Sequence, residues 1–93
     1  MSNQPTECAL CARLLGRRIE WHHVVPKSQG GRDTVALHPI CHRAIHANIG
    51  NKDLARLYPT LESLKAREDI AAFLSWIANK DPDFHAPTHK RKD

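Results

Sequence analysis

The sequence has no long apolar segment, which excludes a membrane-spanning helix. Its longest apolar stretch is Ile70–Leu74, which Ser75 separates from Trp76–Ala78. A spanning helix needs about 20 predominantly apolar residues. Residues 1–7 are polar and lack the basic-then-apolar pattern of a secretory signal peptide. We therefore expect a cytoplasmic protein that does not associate with membranes.

Cysteine is also scarce. The chain contains three cysteines, and an odd number cannot pair completely in disulfides. Cys8 and Cys11 have Cys-x-x-Cys spacing, which in a cytoplasmic protein indicates a metal site or a redox pair. No βαβ pattern surrounds them, which disfavours the redox pair. The plainest alternative is that both are ordinary buried cysteines.

The chain is short, and its charge excess is small. Its 93 residues fit one domain with a modest core, so a metal that stabilises the fold is a reasonable expectation. The formal net charge is +4, and half of it belongs to residues 90–93. This balance is compatible with nucleic acid as a partner, although charge alone is weak evidence.

Hydrophobic periodicity predicts an α+β organisation. Two short β-rich segments flank the turn residues Gly30 and Gly31, which indicates an irregular hairpin. A helix is predicted over 40–49 from one apolar face, and further helices follow, the last over 68–79. The predicted boundaries are a single domain over 1–84, with a core at 8–49 and a helical extension at 51–79, followed by a basic flexible tail over 85–93.

Smaller features of these helices are also predicted. Asn51 is expected to cap the helix that ends before Pro59, and Thr60 is expected to begin the next one. The aromatic residues Trp21, Phe73 and Trp76 are expected in the core rather than as platforms for nucleic acid bases.

Five of the seven histidines lie between residues 22 and 46. His42 and His46 are four apart, which on a helix places them on one face with Cβ atoms about 5–6 Å apart. A third ligand from His22 or His23 would leave open positions on the metal, the mark of a catalytic site. The fourth histidine could then act as a general base. The alternative for His42 and His46 is that they are surface histidines on an amphipathic helix and bind no metal.

One geometric condition applies to this arrangement. Neighbouring side chains on a regular strand point to opposite faces of the sheet. His22 and His23 can share a site only if the backbone twists or bulges there, which the nearby proline and glycines favour.

The run Glu20–Gly31, followed by Cys41–His46, closely resembles the HNH nuclease family, also called ββα-metal or His-Me finger nucleases. The resemblance covers residues 8–47, and two motifs in the right order make it specific. It implies a ββα-metal core with appended helices and hydrolysis of DNA to 5′-phosphate and 3′-hydroxyl products. By motif, His22, His42 and His46 would bind a catalytic divalent ion (Mg²⁺, Mn²⁺, Ni²⁺ or Zn²⁺) and His23 would be the general base.

The sequence departs from the family pattern at Asp33. Many members carry asparagine nine residues before the first helical histidine, and this chain carries aspartate there. Asp33 could orient His23 by accepting a hydrogen bond from its other ring nitrogen, or it could cap the turn at Gly30 and Gly31.

A second metal site is predicted from four residues. His38 and Cys41 repeat the two-residue gap of Cys8 and Cys11, and together they form a set that can close a tetrahedral zinc site. Many HNH proteins are similar, with a second Cys-x-x-Cys before the catalytic helix, whose first cysteine here is His38. A structural Zn²⁺ would then clamp both ends of the hairpin.

Basic residues flank the proposed catalytic site, and they could contact DNA phosphates or form a solvated face. The candidates are Arg17, Arg18, Lys27, Arg32 and Arg43. DNA is thus the expected partner, with a homodimer or the phage packaging machinery as further possibilities. The alternative function is a zinc-stapled DNA-binding or phage-packaging accessory module without cleavage activity.

Overall fold

The computed structural model describes residues 6–87, which adopt an α+β fold, so the predicted fold class is confirmed. A two-stranded antiparallel sheet is followed by four helices. The N-terminal five residues and residues 88–93, most of the predicted tail with His89, lie outside the described part. The elements are β1 (Glu20–His23), β2 (Thr34–Leu37), α1 (Pro39–Asn48), α2 (Asn51–Leu57), α3 (Leu61–Lys65) and α4 (Glu68–Ile77).

The hairpin carries the candidate residues His22 and His23 at the end of β1. The strands pair from Glu20 opposite Leu37 to His23 opposite Thr34. One further backbone bond, from the Val24 N–H to the Asp33 carbonyl at 3.1 Å, extends the pairing past His23. The register therefore fixes the positions of His22 and His23 along the hairpin relative to the start of α1, which follows β2.

Two glycines shape the loop between the strands. A turn of 3₁₀ helix, Lys27–Gln29, ends at Gly30, whose φ of 85° lies in the left-handed region that glycine adopts without strain. A Cβ atom on Gly31 would overlap the carbonyl oxygen of Val25. The predicted turn thus needs glycine at both positions, for different reasons.

Helix α1 is held in place by its apolar face. Ile40, Ile45 and Ile49 are buried in the core cluster, together with Leu54 and Ile70 from the later helices. Each such side chain contributes about 1.5–3 kcal/mol when it leaves water. His42 and His46 lie next to this buried face, on the part of α1 that meets His22 of β1.

The three later helices follow the predicted order with two corrections. Helix α2 begins at Asn51 itself, so Gly50 occupies the capping position and the prediction of an Asn51 cap is wrong. Helix α4 ends at Ile77 rather than Asn79. Thr60 caps α3 as predicted, because its hydroxyl accepts from the Ser63 N–H at 3.1 Å. Across residues 6–87, none of the helices has the length and apolar character needed to cross a membrane.

The prediction that the tryptophans lie in the core is wrong. Trp21 is 56% exposed and Trp76 is 49% exposed, while Phe73 is half-buried against the core. Trp21 alternates along β1 with the buried His22, so it faces away from the interior. Trp76 lies beside the Ile70 and Ile77 stripe of α4 rather than on it, and packs against other aromatic rings.

Candidate metal centres and active-site cavity

The four residues of the predicted structural site come together in the fold. Their ligand atoms, from Cys8, Cys11, His38 and Cys41, all lie within 4.8 Å of one another. We call this group the Cys3His cluster. Three thiols and one imidazole are a ligand set that closes a tetrahedral structural zinc site. The cluster could therefore bind a structural metal such as zinc.

The backbone of the Cys8–Cys11 turn, which we call the knuckle, supports this arrangement. The Cys8 N–H donates to the Arg13 carbonyl and the Ala12 N–H donates to the Cys8 carbonyl, each at 2.9 Å. The turn requires Ala12 to adopt a left-handed φ of 65°, which is costly for a residue with a Cβ atom. The His38 N–H lies 3.5 Å from the Cys8 Sγ atom and points a donor at that sulfur.

Hydrogen bonding determines which nitrogen of His38 faces the thiols. Its Nε2 lies 2.7 Å from the Leu14 carbonyl oxygen, which can only accept, so Nε2 carries the proton. The lone pair of Nδ1 is then directed toward Cys11 Sγ at 3.4 Å and Cys41 Sγ at 3.9 Å. In metal sites, the histidine nitrogen that does not bind the metal usually donates to a carbonyl or carboxylate, which fixes the tautomer of the ring.

The thiols are electrostatically coupled. The side chains of Cys11 and Cys41 donate hydrogen bonds to Cys8 and lower the pKa of the Cys8 thiol. The pKa of Cys41 is raised, first by its hydrogen bonds with Cys11 and Cys8 and then by burial. A dication bound between the sulfurs would stabilise all three as thiolates, which are the form of cysteine that binds a metal.

A second cluster joins β1 to α1. The imidazole rings of His22, His42 and His46 have centroid separations of 5.2, 5.3 and 4.8 Å, and their ligand atoms lie within 4.8 Å of one another. We call this group the three-histidine cluster. The i, i+4 spacing on α1 and the buried position of His22 on β1 produce the convergence.

The innermost ring of this cluster lacks hydrogen-bond partners. His22 is 1% exposed, and neither of its ring nitrogens has a partner among residues 6–87. Burial, followed by the neighbouring His42 and His46, lowers the pKa of His22 to about 4. The pKa of His46 is also lowered by burial and by His42. Neutral imidazoles with unpaired nitrogens fit a divalent ion, since a buried polar atom without a partner needs an explanation.

Glu20 supports this cluster and was missed as a site residue. Its Oε1 accepts a hydrogen bond from His42 Nδ1 at 2.9 Å, which leaves His42 Nε2 as the ligand atom. The signal was available in the sequence, because Glu20 and His22 are two apart on a strand and so share one face.

A cavity of about 250 Å³ opens beside the three-histidine cluster. We call it the histidine cavity. His23 borders it without belonging to the cluster, and Asn51 does so from the first turn of α2. His22 and His23 thus reach one cavity although they alternate along β1. The lining residues are Trp21, His22, His23, Pro26, Lys27, Ser28, His42, His46 and Asn51.

The main chain of Asp33 pairs with the strand end next to His23. Its side chain is exposed, and among the described residues it forms no hydrogen bond with His23. Its carbonyl accepts from Val24, the residue after His23, as noted for the hairpin. Asp33 therefore holds the end of the strand beside His23 through the main chain.

Three of the predicted basic residues border different cavities. Lys27 lines the histidine cavity, whereas Arg32 borders a different cavity beside Gly31 and Asp33. Arg18 borders a third, next to residues 82–85. Only Lys27 therefore lies at the histidine cavity.

The segment after α4 approaches three other arginines. Arg43 Nη1 donates to His85 Nε2 at 3.1 Å on the protein surface. The Arg17 N–H donates to Asp83 Oδ1 at 2.6 Å. Arg13 donates to the carbonyls of Lys80 and Asp81 at 3.0 and 2.7 Å, and so ties this segment to the knuckle.

Comparison with known proteins places these sites in a wider context. A sequence profile described as HNH endonuclease matches residues 8–48. The chain is 33% identical over 88 residues to "Uncharacterized protein YisB" of Bacillus subtilis (strain 168), covering 92% of this chain and 87% of that protein.

A shorter match is to the "Type IV methyl-directed restriction enzyme EcoKMcrA" of Escherichia coli (strain K12). It is 44% identical over 52 residues, which are 50% of this chain and 19% of that enzyme. The chain thus corresponds to about a fifth of the restriction enzyme's length. No solved structure matches the chain significantly.

Proposed function

Because this chain belongs to the HNH endonuclease family, we propose that it is a metal-dependent endonuclease that hydrolyses DNA phosphodiester bonds. The observation that carries the proposal is the three-histidine cluster, in which the buried His22 has two unpaired ring nitrogens next to the histidine cavity. Such a cluster leaves coordination positions open to substrate, whereas a closed structural site does not.

His22, His42 and His46 would hold the catalytic divalent ion. Three neutral imidazoles suit Zn²⁺, Ni²⁺ and Mn²⁺, and Mg²⁺ less readily. When bound, the ion would supply positive charge to a phosphate oxygen and to the leaving oxygen. Glu20 would orient His42 for this task through the 2.9 Å hydrogen bond.

His23 would be the general base. It borders the cavity and stands outside the three-histidine cluster, so its ring nitrogen can take a proton from water. The water oxygen would attack phosphorus as the bond to the 3′ oxygen breaks, which leaves a 5′-phosphate and, after protonation, a 3′-hydroxyl. Asp33 would position His23 by holding the strand end.

The basic residues would bind the DNA backbone. Lys27 is the first choice, since it is exposed at the histidine cavity. Arg17, Arg18, Arg32 and Arg43 are also exposed and would make contacts farther from the scissile phosphate.

The Cys3His cluster would hold a structural Zn²⁺. The ion would fix the position of Cys41, whose neighbour in the sequence, His42, belongs to the three-histidine cluster. The three cysteines form no disulfide, which suits a metal site in the reducing cytoplasm.

Plasmid nicking tests this proposal. Purified protein, stripped of loosely held metal, is titrated with Mg²⁺, Mn²⁺, Ni²⁺ and Zn²⁺ beside His23→Ala. Thr34→Ala is the matched control, because Thr34 is the exposed cross-strand partner of His23. We expect wild type and Thr34→Ala to convert supercoiled DNA to open circles, and His23→Ala to lose at least 100-fold in rate.

Two results would contradict the mechanism or the function. Unchanged cleavage by His23→Ala would remove it as the base. DNA binding without cleavage by any ion would instead favour a zinc-stapled binding or phage-packaging module. A single cluster cuts one strand, so linear product from single encounters would indicate that two copies act together.

A further inference from the structure

Trp21 is an exposed tryptophan at the histidine cavity. It lines that cavity together with His22, His23, His42 and His46, yet its side chain is 56% exposed. A large aromatic side chain is usually buried for its apolar area, and at binding sites it is kept exposed to contact a ligand. Its position beside the catalytic residues distinguishes it from apolar residues scattered over the surface.

The strand geometry places Trp21 next to the proposed base. Side chains two apart on a strand lie on the same face, so Trp21 and His23 share one face of β1, about 6.6 Å apart along the strand. Glu20 and His22 occupy the other face, toward α1. The cross-strand partner of Trp21 is Ala36, whose methyl group leaves the indole without an aromatic neighbour.

The second tryptophan provides a comparison within the same chain. Trp76 packs against Phe73 and Phe84 at centroid separations of 6.0 and 5.6 Å, and the Lys80 ammonium lies over its ring. Trp21 has no such ring or cation partner within residues 6–87, and it lies outside the core cluster. The face of its indole is therefore open to a ligand, whereas Trp76 serves the fold.

The occupant must be planar, apolar on its faces and attached to an anion. Lys27 is an exposed cation on the same cavity, and the three-histidine cluster would add the charge of its ion. A nucleobase beside a phosphate meets each condition, and bases stack on aromatic side chains without regard to sequence. In an intact duplex the faces of the bases are covered by their neighbours, so only an unstacked base can reach an indole.

We propose that Trp21 is a platform on which an unpaired nucleobase next to the scissile phosphate stacks, so that the enzyme prefers DNA with unpaired bases. Single strands, flaps and bubbles would then be better substrates than intact duplex. This inference rests on the proposed endonuclease function and adds its substrate class.

Intrinsic fluorescence tests the contact without relying on cleavage. Trp76→Phe leaves Trp21 as the single tryptophan, and combining it with His23→Ala removes the proposed base. The probes are a single-stranded oligonucleotide, the same strand annealed to its complement, and a strand of equal length with abasic residues. We expect quenching by the first probe, with at least fivefold weaker apparent affinity for the other two. Equal quenching by the abasic strand or by duplex would overturn the platform.

Cleavage provides the second arm. Relative to wild type, Trp21→Ala and Trp21→Leu should lower cleavage of the single-stranded probe by roughly five- to 150-fold, the range of one base stack. Trp21→Phe should retain most activity, and Trp76→Leu is the control at the other tryptophan. Zinc content and melting temperature show whether each variant is folded. An unchanged ratio of single-strand to duplex cleavage in Trp21→Leu would refute the inference.

The two proposals can fail separately. If wild type cleaves no DNA with any ion, the nuclease function fails, and the fluorescence arm still decides whether Trp21 stacks on bases. If wild type cleaves and Trp21→Leu behaves identically on every probe, the nuclease stands and the platform fails.

Discussion

The hydrogen bond between Glu20 and His42 yields a prediction whose size can be worked out. Glu20→Ala removes the acceptor that holds the proton on His42 Nδ1, so the ring is free to rotate and to change tautomer. Losing such an outer partner lowers metal affinity by about 10–100-fold. Because the Glu20 side chain is 35% exposed, solvent screens part of its charge, and we expect about tenfold, or about 1.4 kcal/mol.

The assay is calorimetric titration of Ni²⁺ and Mn²⁺ into protein whose Cys3His cluster is already filled with zinc. Glu20→Gln separates charge from hydrogen bonding, because its amide oxygen still accepts from His42, and it should lose less affinity than Glu20→Ala. His42→Ala removes the ligand itself and should lose more than either. Glu62→Gln, an exposed acidic position on α3, is the control for net charge.

Two outcomes carry different meanings here. A Glu20→Ala protein with an unchanged Kd would show that the hydrogen bond does not orient His42, and the reasoning about the outer partner would be refuted. A wild-type protein that binds one zinc per chain and no second ion would instead refute the three-histidine cluster as a metal site.

Three further predictions concern stability. Cys8→Ser should lose zinc and several kcal/mol of stability, since structural zinc binding contributes folding energy, and unchanged melting and zinc content would contradict this. In protein without the catalytic ion, His22 stays neutral down to a pKa of about 4, while the unfolded chain takes up that proton near pH 6.5. Stability should therefore be unaffected above about pH 7 and fall by up to about 3 kcal/mol as pH drops from 6.5 to 4. In urea unfolding across this pH window, the free energy of unfolding should fall less for His22→Leu than for wild type. An equal fall in the two proteins would rule the explanation out. Ala12→Gly should raise the free energy of unfolding by about 1 kcal/mol, because it relieves a φ of 65°. Ala72→Gly, at an exposed position in the middle of α4, should lower it by about 1 kcal/mol. A loss of melting temperature in Ala12→Gly would show that the left-handed turn is not strained.

Much of the fold was predictable because it follows from local periodicity. The apolar spacing of Ile40, Ile45 and Ile49 predicted α1, and the structure buries all three residues. The paired glycines predicted the loop, and the structure uses both. The prediction for Trp21 failed, because hydrophobicity alone does not say which face of a two-stranded sheet is covered. Asn51 was misplaced by one residue, since helix ends depend on packing as well as on capping propensity.

The ligand types and their local spacing follow directly from the amino-acid sequence. The i, i+4 pair of α1 and the Cys-x-x-Cys turn follow from the helical period and from chain connectivity, which act over a few residues. The partners that complete each site depend on how distant segments of the chain pack together. The Leu14 carbonyl selects the tautomer of His38, and packing of β1 on α1 brings Glu20 to His42 and buries His22 without partners. The two hydrogen bonds join residues 24 and 22 positions apart, and their geometry depends on how the core packs rather than on any local rule.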